Sequence, residues 1–260
     1  DGISFGEISS NTAISTLENY INGQDLDQYD LYVASQDDAG FPVDNLQLFH
    51  SDFAGYGKNL IDKLAGVDND RDKNFVGYGS ASSSEEFVNT LVQAFGANVE
   101  ASSFTVPNGS LAPQTVTKAT ITARGVDLAQ VLQKYLFGAV SFNQAVGDYL
   151  STTLGASKGL NADNSKPAKA GKNYTAMEHH FDEAFGYFGA TRDFLAYSDS
   201  LTKDKGSIDT NNDSFIDLEA EKNFGAAIYA AKMDYLSKTG TDFTGTIMNA
   251  FLKGRQLIAE

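Results

Sequence analysis

The sequence predicts a mainly α-helical protein with short β elements and long loops. Three observations carry that reading. Apolar residues recur at helical spacing in several separate stretches, and capping residues and glycines bracket those stretches. Only one segment turns to the Thr, Val and Ser composition of extended chain. At 260 residues, the chain can bury a substantial core as one large domain or two small ones.

Asn11 precedes Ile14, Leu17, Tyr20 and Ile21, which predict an amphipathic helix closing near Gly23. Gly40, Pro42 and several aspartates predict loop over 25–45, with a short strand at Tyr29–Val33. Leu46, Phe49, Phe53, Leu60, Ile61 and Leu64 predict helix broken around Gly55 and Gly57, with His50 inside it. Ser82 and Ser83 each stand three residues before a glutamate, Glu85 and Glu86, as in a capping box. Phe87, Leu91, Val92 and Phe95 follow at helical spacing, and Gly96 is the expected end. Residues 98–124 predict a long loop with a small hairpin, Pro107-Asn108-Gly109 marking the turn and 116–123 extended.

Leu128, Val131, Leu132, Tyr135, Leu136, Ala139 and Phe142 give the clearest helix in the chain. The Gly-, Asn- and Lys-rich stretch 155–173 reads as an exposed connector. It either joins two helical halves, about 1–155 and 174–260, or arches over a single body. Leu218–Leu236 and Phe243–Ile258 predict two further helices separated at Gly240, with Thr241 or Asp242 as the second cap.

The formal net charge is −15. Phosphate backbones and anionic membranes repel such a surface, so nucleic acid is excluded as a partner. A metal ion or small ligand, a neutral glycan or a basic protein surface fits better. With no cysteine, disulfides, thiolate metal sites and thiol catalysis are excluded. No run of about eighteen apolar residues exists to span a bilayer. The chain opens Asp1-Gly2-Ile3 without a hydrophobic signal region, which predicts a mature or trimmed form with any lipid anchor upstream. The expected setting is extracytoplasmic, in the periplasm or at the outer-membrane or cell surface.

Residues 175–183 concentrate the chemistry. They hold His179 and His180, two of the three histidines, among Glu178, Asp182 and Glu183. Met177, Phe181, Ala184, Phe185 and Phe188 would form the buried stripe of a helix. His180, Glu183 and Tyr187 share its flank, so His180 and Glu183 can supply two metal ligands in a cleft, with the His179 side chain pointing away. His179, Asp182 and Tyr187 are further candidate ligands. The alternative is structural: Thr175-x-x-Glu178 fits a capping box, and a hydrogen-bonded histidine needs no metal.

Met177–Gly189 resembles the signature of a family of uncharacterised bacterial surface lipoproteins. These are similar to the imelysin-like proteins, whose Gly-x-His-x-x-Glu motif is matched by His180-x-x-Glu183, with Glu178 in place of the glycine. Gln133–Ala139 also resembles the family, and the strongest similarity covers about 126–200. The resemblance implies one imelysin-like region over 1–260, built of helical bundles. It also implies an extracytoplasmic binding protein linked to iron or another metal.

Asp209, Asn211, Asp213, the Phe215 carbonyl and Asp217 present oxygen donors at the alternating positions of an EF-hand-like calcium loop. Ile216 takes the apolar position, Ser214 replaces the turn glycine, and Glu219 or Glu221 would supply the closing carboxylate. Asp68, Asp70 and Asp72 repeat the alternation, although Arg71 and Lys73 can neutralise them without calcium.

Three functions compete. The first is a non-enzymatic binding protein in metal acquisition, with His50 or a tyrosine completing the His180–Glu183 pair. Tyrosine-containing oxygen sets suit ferric iron, whereas histidine clusters suit zinc. The second is a metallopeptidase, but adjacent histidines point about 100° apart on a helix and cannot form the zincin chelate. The third is a calcium-stabilised surface protein that binds a glycan or a protein.

Overall fold

The computed structural model describes residues 3–24, 58–64 and 79–260. The strand expected at Tyr29, the interrupted helix around His50 and the acidic loop of Asp68, Asp70 and Asp72 lie outside the described residues. Within them the protein is mainly α, with seven α-helices and a single two-stranded sheet. The described chain forms two compact units, one ending at Val140 and one running from Ser141 to Glu260. The connector 155–173 is therefore not a divider. Leu160 N–H donates to Ser151 O at 2.8 Å and the Asn164 amide to Ile258 O at 2.7 Å, which ties the segment into the second unit.

In the first unit, α1 (Ser10–Ile21) begins at Ser9, whose hydroxyl accepts from Thr12 N–H. Helix α2 (Ser84–Val99) is capped by Ser83, whose hydroxyl accepts from Glu86 N–H, while the Glu86 carboxylate accepts from Ser82 N–H. Gly96 does not end α2. A Cβ there would lie 2.5 Å from Ile14 Cγ1, so the glycine is a packing device that lets α1 approach α2.

Strands β1 (Phe104–Asn108) and β2 (Leu111–Val116) pair antiparallel around Gly109. The extended stretch thus precedes 116–123, which instead turns back through an isolated bridge between Ile121 and Asp127. Helix α3 (Leu128–Phe142) closes the unit, aligning Leu128, Leu132 and Leu136 with Val88, Val92 and Phe95 of α2 in one core.

Beyond Val140, α3 continues into a π-helical segment, Asn143–Tyr149, which the sequence periodicity does not announce. Helix α4 (Ala176–Phe188) starts at Thr175 with both halves of the capping box in place and stops at Gly189. That glycine holds φ +83°, and a Cβ would sit 2.6 Å from Phe224 O, so the stop requires glycine. A short helix α5 (Asp199–Lys203) is followed by α6 (Gly225–Leu236) and α7 (Phe243–Ala259), the last capped by Asp242.

The expected helix from Leu218 begins only at Gly225. Residues 218–224 are held otherwise: Phe224 N–H donates to Gly189 O at 2.7 Å, and the buried Asn223 accepts from Thr191 N–H at 2.9 Å. Phe251 of α7 meets the rings of Phe181, Phe185 and Phe188 at centroid distances of 5.6, 5.3 and 5.7 Å. Each such aromatic pair adds about 1 kcal/mol beyond its burial. Phe181 is buried, while Met177 and Phe185 are half-buried.

Candidate functional site

The candidate site is the flank of α4 that faces the π-helical segment. Helix α4 and the segment Asn143–Tyr149 pack against each other, as do α4 and the short 3₁₀ turn Gly159–Asn161. A π-helix is uncommon and recurs at functional sites, because its wide turn re-aims side chains. Here it buries three polar residues, Asn143, Gln144 and Asp148. The Asp148 carboxylate is fully buried and accepts from the Gln144 amide and the Lys158 ammonium, each at 2.9 Å. A buried carboxylate needs such partners to remain charged.

Lys158 leads into Gly159, whose φ of +68° brings it so close to the π segment and the turn after it that a Cβ would lie 2.8 Å from Asp148 O and 2.3 Å from Ser151 O. This turn presents the Gly159 carbonyl to His180 Nδ1 at 3.3 Å. A carbonyl only accepts, so Nδ1 carries the proton in this bond, and in the neutral ring Nε2 keeps its lone pair. The His180 ring also packs against Tyr149, at 5.7 Å between centroids, and Tyr149 stacks on Tyr187 at 5.8 Å.

Glu183 joins the cluster differently from the sequence expectation. Its carboxylate pairs with His179 Nε2 at 3.0 Å, so His179 does not point away from this flank. The four-residue spacing stacks His179 directly over Glu183, and Tyr174 stacks on the outer ring at 5.3 Å. The Glu183 carboxylate also lies near the Tyr149 phenol. Burial first, then that carboxylate, holds the Tyr149 phenol well above its ordinary range. Tyr187 is raised by burial and then by Glu183. Both phenols are therefore neutral at physiological pH.

The remaining acids of the motif serve the helix. Glu178 completes the cap through Thr175 N–H at 2.7 Å and also accepts from Arg255 at 2.8 Å, while Asp182 accepts from Arg255 at 2.9 Å. Among the described residues, no group of three or more His, Asp or Glu side chains is placed to hold a metal ion. Tyr149, Asp148 and Lys158 were not in the predicted set, because a tyrosine and an Asp–Lys pair at this spacing carry no recognisable pattern.

The Asp209 loop folds around its own oxygens. Asp209 accepts from Asp213 N–H at 3.2 Å and Ser214 N–H at 2.8 Å; Asn211 accepts from Asp213 N–H, Asp213 from Phe215 N–H, and Asp217 from Glu219 N–H. Asn212 and Ser214 adopt positive φ, 61° and 73°, where glycine or asparagine is usual. Ile216 is fully buried. Glu219 is exposed, and Glu221 turns inward instead. Its buried carboxylate accepts from Thr210 N–H at 2.7 Å, the Thr210 hydroxyl at 2.6 Å, Asn211 N–H at 3.2 Å and Asp217 N–H at 3.0 Å.

Residues 44–260 match the family described as Domain of unknown function (DUF4856). The match carries no link to the imelysin-like proteins or to lipoproteins. No curated protein and no solved structure matches the chain.

Proposed function

The chain belongs to the DUF4856 family, and we propose that it is a non-enzymatic, extracytoplasmic binding protein that takes a metal ion or a metal-bearing small ligand at the α4 flank. The observation that carries this reading is the state of His180. Its Nδ1 is committed to the Gly159 carbonyl and its ring packs on Tyr149, which in turn stacks on Tyr187, leaving Nε2 to serve as a ligand atom. An imidazole oriented through its second nitrogen by a carbonyl is the arrangement that fixes histidine ligands in metal sites.

His180 and Glu183 would hold the ion, and iron or zinc would serve there as the recognised cargo. Without a cation the two phenols stay protonated; a nearby ion reverses that preference and recruits them as oxygen donors. Iron acquisition follows from the resemblance to the imelysin-like proteins and is part of the proposal. A metallopeptidase reading has no support in the donor set. His179 is spent on Glu183, and among the described residues no group of three His, Asp or Glu side chains is placed to hold a zinc ion.

A second reading, a calcium-stabilised surface protein that binds a glycan or protein partner, is favoured by the Asp209 loop. Its side-chain oxygens, on Asp209, Asn211, Asp213 and Asp217, already bond loop N–H groups and hold the turn in shape, which is what supports this reading. Such a loop without a ligating glutamate at its last position suits the weak binding typical of extracellular calcium modules. Metal analysis of protein purified without added metal separates the readings. Iron or zinc at one per chain supports the first; calcium alone supports the second and removes the first.

A further inference from the structure

The first unit holds a cavity of about 410 Å³ between α1, α2, α3 and the segment around Lys118. Its volume lies within the roughly 300–1,000 Å³ of small-molecule pockets, toward the small end. Leu17, Ile21, Phe95, Leu132 and Leu136 form its apolar wall.

Thr16, Tyr20, Lys118, Thr120, Asp127, Gln130 and Gln133 add polar groups to the lining. Thr120 lines the cavity, is only 8% exposed, and its hydroxyl has no hydrogen-bond partner in the protein. A buried hydroxyl left so is costly, and the group that satisfies it must come from the cavity side. Lys118, two residues earlier, lines the same cavity. Asp127 also lines it, but its carboxylate accepts from Gln130 N–H at 3.3 Å at the start of α3.

We propose that this cavity binds a small amphiphile with an apolar body and a single carboxylate head. The body lies against the leucines and Phe95, and the head accepts from the Thr120 hydroxyl and the Lys118 ammonium. This site is separate from the α4 flank and does not rest on the function proposed for it.

The test is calorimetric titration of the whole chain with decanoate and with decan-1-ol. Saturable binding at one decanoate per chain is expected, with decan-1-ol weaker. Thr120→Val should weaken decanoate about fivefold, the size of one hydrogen bond, while the unliganded variant melts at or above the wild-type temperature. Lys118→Met should bring decanoate down to the affinity of decan-1-ol. Leu132→Trp should fill the cavity and abolish binding of both; should that variant fail to fold, Thr120→Val carries the test alone. No saturable binding overturns the proposal. So does decanoate affinity unchanged in Thr120→Val and Lys118→Met, or decan-1-ol binding as tightly as decanoate.

Discussion

Replacing Glu221 by glutamine keeps the shape of the side chain and changes only its charge and one acceptor. In the folded protein, Glu221 Oε1 accepts from Thr210 N–H, the Thr210 hydroxyl and Asn211 N–H, and Oε2 accepts from Asp217 N–H. Glutamine can keep one oxygen facing Thr210, but its amide nitrogen then confronts Asp217 N–H, donor against donor. Losing one charge-assisted bond costs about 1.5–3 kcal/mol, and the remaining three fall to neutral strength. The sum is roughly 3–4 kcal/mol, or about 10 °C in melting temperature for a chain of this size. Burial is the largest influence on the Glu221 carboxyl and pushes its pKa up. The Thr210 hydroxyl and the amides of Asp217, Thr210 and Asn211 together outweigh it and leave the pKa below the usual 4.5. The carboxylate therefore stabilises fully above pH 4.5, and its contribution disappears as pH falls through the lower folded value. Calorimetric melting of wild type and Glu221→Gln should show the full gap at pH 7 and a narrowing gap in acid. The exposed Glu219→Gln should stay within about 0.5 kcal/mol of wild type. A Glu221→Gln protein melting within about 1 °C of wild type at pH 7 would refute the reasoning.

Other outcomes follow from the same contacts. Lys158→Met removes the charged partner of the buried Asp148 carboxylate and should destabilise by about 3–5 kcal/mol, read by chemical denaturation. Gly189→Ala forces a Cβ to 2.6 Å from Phe224 O at a positive φ, and should cost about 2 kcal/mol or more in the same assay. Calcium at a hundred times its dissociation constant should stabilise the protein by about 2.7 kcal/mol and raise its melting temperature accordingly. Asp209→Asn should lose that response, and a wild-type protein indifferent to chelator would argue against calcium in the loop.

The helices legible in the sequence are those defined by local chemistry. Thr175 with Glu178 fixes the start of α4 and Gly189 its end, all within one helix and its caps. What failed depends on distant partners. Gly96 looked like a terminator because its packing against Ile14 of α1 has no local trace. Residues 218–224 have helical composition, yet Asn223 and Phe224 are claimed by Thr191 and Gly189, more than thirty residues away.

The same limit governs the site. The motif placed both histidines and Glu183 on one helix, but it is His179, expected to point away, that pairs with Glu183. Which histidine meets Glu183 was not legible, because it is decided by the Gly159 turn that engages His180 and by the π segment that brings in Tyr149. The buried Asp148–Lys158 pair holds that turn, and neither residue stands out in the sequence.

The central claim, that His180 is the donor around which the α4 flank binds a metal, is tested by titrating chelator-treated protein with ferric iron and with zinc. Wild type should bind one ion per chain, and His180→Ala and Glu183→Ala should each lose at least about tenfold in affinity. His179→Ala should change affinity far less, since its ring is half-exposed and spent on the outer edge of Glu183. Wild-type protein that binds neither ion, or His180→Ala binding as tightly as wild type, would contradict the account.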